Sequence, residues 1–149
     1  MEFTYADIWI GLVAPLKALQ AVRESKYWKA VAASGWCDSA DEQDPVKKNL
    51  IDFLNKEDAS DFRDFVQAAV HVLGLRVEKW ERESSQKIYL SDDGFSDLLS
   101  HIVGLGKEEY EKVLRDPLFA WKRYERGHAA VGGYQESFLY CLPDEEHYG

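Results

Sequence analysis

Apolar residues recur every three or four positions along most of this chain, with polar breaks between the runs. That spacing belongs to helices that each bury one stripe. In the central segment Phe62, Phe65, Val66, Ala69, Val72, Leu73, Val77 and Trp80 follow it. They predict a helix whose first free N–H groups are capped by Asp58 or Ser60. Gly74 falls inside the pattern, and glycine costs a helix about 1 kcal/mol relative to alanine, so the helix is expected to weaken there. Phe95, Leu98, Leu99, Ile102 and Val103 form the next stripe. Ser91 or Asp92 can cap its start, and Asp92 and Asp93 sit where the positive end of the helix dipole favours acid. Gly104 or Gly106 ends it. KEEYEKVLRD then predicts a helix with Tyr110, Val113 and Leu114 inward. Asp116-Pro117 starts another, carrying Leu118, Phe119, Trp121 and Tyr124 and stopped near Gly127.

The flanks read the same way. Thr4, with Asp7 three residues on, caps a first helix. Helix-forming residues continue through Val31, Pro15 either kinks the run or restarts it, and Ser34-Gly35 ends it. SGWCDSADEQD, residues 34–44, reads as a loop. Asp44-Pro45 opens a short helix to about Lys56 that would bury Val46, Leu50, Ile51, Phe53 and Leu54. KIYL, residues 87–90, is the best strand candidate, and equally an extended entry into the helix after it. A last helix, YQESFLYCL, precedes Pro143 and an acidic tail, 143–149, that reads as a loose end. The expected fold is therefore all-α, one domain over residues 1–149. It is an irregular bundle of about six or seven helices with at most one minor strand, and its short connections place neighbours side by side.

Composition narrows the classes. A chain of 149 residues, 46% hydrophobic, can bury roughly 70% of its unfolded surface and needs no disulfide or metal to hold a core. The formal charge is -9, from 27 acidic against 18 basic residues. Such a surface repels nucleic-acid phosphates and anionic lipid, attracts a basic partner, and also serves plain solubility. Cys37 and Cys141 lie far apart, without metal-ligand spacing. The opening MEFTYADIWIGLVAPL carries Glu2 and Asp7 where a signal peptide needs basic residues, and no apolar run reaches a membrane span. The expected location is a reducing cytoplasm.

The run SDDGFSDLLSHIVGLGKEEYEKVLRDP resembles an uncharacterised bacterial family, the domain-of-unknown-function 4240 group. The resemblance is carried by Ser91 to Phe95, the helix to Val103, the Gly106-Lys107 turn and the helix to Asp116-Pro117. YQESFLYCLPDEEHYG looks like the end of such domains, and FTYADIW like a divergent form of their opening helix. Ahead of the acidic motif the family carries a Trp- and Gly-rich helix, where this chain has HVLGLRVEKWERESSQ with Trp80 alone. The resemblance implies a mostly helical fold and brings no activity, cofactor or catalytic residue.

Candidate chemistry is sparse. Asp92 and Asp93 could act as an acid/base pair or as metal ligands, but adjacent side chains at a helix start diverge, and capping accounts for them better. His71, His101, His128 and His147 form no H-E-x-x-H pattern. GLGKEEY offers a helix start that can hold an anion, yet lacks the spacing of a P-loop. Asp92, Asp93, His101 and Lys107 are the residues of a small enzyme or ligand cleft, should one exist. No catalytic residue, metal or cofactor is assigned.

The favoured reading is a non-catalytic protein-binding protein of the bacterial immunity or antitoxin type, neutralising a basic partner. Exposed aromatics beside acid suit such a surface. Trp36 in the polar loop, Asp38, Asp41, Glu42, Tyr134, Asp144, Glu145 and Glu146 are its candidate contacts, and a homo-oligomeric subunit is a third reading.

Overall fold

The computed structural model describes residues 16–36, 49–50, 52–54 and 56–125. Its helices are α1 (Leu16–Arg23), α2 (Trp28–Ser34), α3 (Lys56–Ser84), α4 (Asp92–Gly104), α5 (Lys107–Arg115) and α6 (Leu118–Glu125). Residues 49–50 and 52–53 are helical as well, and the described residues contain no strand. The fold is all-α. No helix among the described residues is long and apolar enough to cross a membrane.

The stripe of α3 is the one its spacing predicts. Phe62, Phe65, Val66, Ala69, Val72, Leu73 and Val77 are buried, and Trp80 is half-buried. Gly74 does not weaken the helix, which runs unbroken for 29 residues. A Cβ built on Gly74 would lie 3.2 Å from Leu99 Cδ1. The position trades helix propensity for a close approach between α3 and α4, which make the most extensive contact among the described helices. Leu98, Leu99, Ile102 and Val103 of α4 fill the other side of that contact.

The run expected to stay helical through Val31 breaks at residues 24–27. Ser25 Oγ accepts the N–H of Tyr27 at 3.1 Å, a local bond that offers the backbone an alternative to the helix. The Trp28 indole N–H donates to the Val22 carbonyl at 2.8 Å, which also accepts the Ser25 N–H at 3.4 Å, so the first residue of α2 helps close the end of α1. Its ring packs edge-on against Phe65 at 5.0 Å and lies 5.2 Å from Tyr110. Helix α2 ends at Gly35, in the left-handed region with φ 74°. Asn49 then ties the next segment back by donating Nδ2 to the Ser34 carbonyl at 3.1 Å.

Ser91 caps α4, its Oγ accepting the N–H of Gly94 at 3.1 Å. Between α3 and α4 the KIYL segment forms no strand and leads into α4. Gly106 separates α4 from α5 at φ 114° and ψ 171°, a region open essentially to glycine alone.

Helix α5 is fastened from α3. The Tyr110 hydroxyl donates to the Ala69 carbonyl at 2.8 Å inside the core, and burial pushes its pKa far above the ordinary value. Arg76 donates Nε to the Leu114 carbonyl at 2.9 Å and Nη2 to the Arg115 carbonyl at 3.4 Å. A cation there satisfies the last carbonyls of α5 and faces the negative end of its dipole. Burial lowers the Arg76 pKa, with Glu83 and Asp116 opposing. Ion pairs Arg23–Glu111 at 3.0 Å and Arg123–Glu109 at 2.8 Å join α5 to α1 and α6.

One expected stripe is corrected. Of the short helix near residue 50, Leu50 and Leu54 are buried, one turn apart, while Phe53 is 52% exposed on the other side. In α6 the fully buried residue is Ala120, and Leu118, Phe119, Trp121 and Tyr124 are half-buried. A small side chain lets this helix sit close against α4 and α5, so its large residues lie along the seam rather than beneath it. The expected opening helix from Thr4, Pro15, Val46, Ile51, both cysteines, Gly127, YQESFLYCL and the tail 143–149 lie outside the described residues.

Candidate functional site: an aromatic ridge between two grooves

At the end of α3 the chain must reverse. Ser85 does this with φ 61°, a left-handed conformation that is unfavourable for a residue with a Cβ. Ser84 Oγ accepts the Gln86 N–H at 3.3 Å just after it. Beyond it exposure alternates, with Lys87 and Tyr89 exposed and Ile88 buried between them, the pattern of successive side chains pointing to opposite sides. Ile88 turns inward and is buried, its N–H donating to Glu81 Oε2 at 3.0 Å. Tyr89 therefore turns outward, and it is 74% exposed.

Tyr89 stands between two open grooves. One, of about 470 Å³, is lined by Glu78, Glu81, Arg82, Ser85, Gln86 and Lys87 together with Tyr89. The other, of about 540 Å³, is lined by Ser85 to Lys87 and Tyr89 on one wall and by Trp121, Tyr124 and Glu125 of α6 on the other. The Lys87 ammonium lies 5.7 Å from the centre of the Tyr89 ring. Glu78, Glu81 and Glu125 line the grooves along with Arg82 and Lys87, three acids against two bases. Chemically this is an amphipathic surface: ring faces for apolar contact, with charged and hydroxyl groups around them. It offers contact area and orientation.

The residues singled out from sequence fall elsewhere. Trp36, expected in an exposed loop, is only 6% exposed. Its indole N–H donates to Nδ1 of His101 at 3.0 Å, with the rings edge-on at 5.6 Å. An indole nitrogen can only donate, so Nδ1 carries a lone pair and a neutral His101 bears its proton on Nε2. His101 is 1% exposed, a core residue held by a partner rather than the flank of a cleft.

Asp92 and Asp93 are exposed in the first turn of α4, and Lys107 is exposed in the first turn of α5. His101 lies nine positions after Asp92 in α4, about 14 Å along the axis. The four residues of the alternative cleft do not converge. His71 is exposed on α3. Among the described residues no three His, Cys, Asp or Glu side chains gather closely enough to hold a metal ion. Asp38, Asp41, Glu42, Tyr134, Asp144, Glu145 and Glu146 lie outside the described residues.

The ridge itself went unnoticed in the sequence. KIYL carries the signal: an alternating segment whose inward residue is Ile88 must present Tyr89 outward.

No curated protein and no solved structure matches this chain. One family model does, over residues 22–141. The match reaches well beyond the Ser91–Pro117 core of the resemblance and takes in α2 to α6 whole. The chain belongs to the family described as a protein of unknown function, DUF4240.

Proposed function

We propose that the chain is a non-catalytic protein-binding domain that takes a basic partner on the Tyr89 ridge. Tyr89 itself carries the reading: a large ring, 74% exposed, beside the half-buried Trp121 and Tyr124. Rigid aromatic side chains dominate the energetics of protein interfaces, because they bury much area and lose little side-chain entropy. The formal charge of -9 supports a basic partner, since opposite charge speeds encounter and fixes orientation. Asp38, Asp41, Glu42, Asp144, Glu145 and Glu146 add to that field by their charge, and the same field disfavours nucleic acid and anionic membrane. On this reading the chain caps a basic protein in a bacterial cytoplasm, as an immunity protein or antitoxin does.

The products of the genes flanking its coding sequence are the partners to test, by biolayer interferometry with the full chain. A basic product binds, Tyr89→Ala weakens binding about tenfold or more (about 1.4 kcal/mol), and Asp92→Asn with Asp93→Asn leaves the dissociation rate unchanged. Binding indifferent to Tyr89→Ala, or an acidic partner, overturns the reading. Light scattering at two protein concentrations separates self-association through the same ridge.

A further inference from the structure

We draw no further inference here: the strongest candidate, the pair of grooves on either side of Tyr89 between the end of α3 and α6, belongs to the site already described, and nothing in the structure shows what covers it.

Discussion

Trp36 and His101, 65 positions apart, share a buried hydrogen bond that ties the end of α2 to the last turn of α4. Replacing Trp36 by Phe keeps most of the ring volume but removes the donor from a buried acceptor. The expected loss is about 1–3 kcal/mol of stability, read as a lower urea midpoint at unchanged slope. A variant as stable as the parent would mean that the bond contributes nothing.

Tyr27 links α2 to α3 through its hydroxyl, which lies 3.3 Å from Asp58 Oδ1 and 3.5 Å from Asp61 Oδ2. Burial first, and then the two carboxylates, push its pKa up to about 12. In an unfolded chain the phenol titrates near its ordinary value of about 10. The folded state therefore holds this proton more tightly. The resulting stability is complete below about pH 10 and is lost as pH rises through about 12. Tyr27→Phe should flatten that part of the curve, which unfolding midpoints measured from pH 9 upward would reveal.

Gly106 has open space where a Cβ would stand, so steric crowding predicts no penalty for alanine. Its backbone predicts otherwise: at φ 114° and ψ 171° an L-residue stores about 1–3 kcal/mol of strain. Gly106→Ala should lower the melting temperature. Gly74→Ala should stay near neutral, because gained helix propensity offsets pressure on the movable end of Leu99. Thermal melts of the pair separate the two reasons for glycine.

Arg76→Met keeps an apolar stem on α3 but withdraws two donors from the end of α5. A hydrogen bond from a charged group contributes about 1.5–3 kcal/mol, and a loss of that size is expected. Amide exchange should quicken in the last turn of α5 before it does in α3. Uniform quickening would argue against a local role.

Tyr89→Ala should leave stability within about 0.5 kcal/mol, as exposed positions usually do. Ser85→Gly relieves a left-handed residue and should raise stability by about 1 kcal/mol. If Tyr89→Ala unfolded the chain, the ring would be part of the core rather than a contact surface. A chemical melt of the two variants decides this.

Stripes of α3, α4 and α5 were legible because each is a local property. Phe62 to Val77 repeat at the helical spacing whatever surrounds them, and Ser91 must cap whatever helix follows it. The break at residues 24–27 was hidden because good helix formers stand on both sides of it, and the bonds that accompany it, Tyr27 N–H to Ser25 and the Trp28 indole to Val22, leave no mark on the spacing. The place of Trp36 was hidden for another reason. Polar neighbours argue for a loop, and its partner lies 65 residues away. Gly74 misled because propensity is local, while its benefit lies in the distant Leu99. At the ridge, the alternation of Ile88 and Tyr89 was visible, but which residue faced outward depended on the packing of α3.

Helix α6 rests mainly on α4 and α5, with Ala120 as its fully buried residue. It can peel away while the long central rod keeps its coat, so its opening free energy should be small beside that of global unfolding. The wall carrying Trp121 and Tyr124 stands only while that helix stays docked. A bound chain that pinned α6 in place would announce itself as slowed amide exchange in those eight residues.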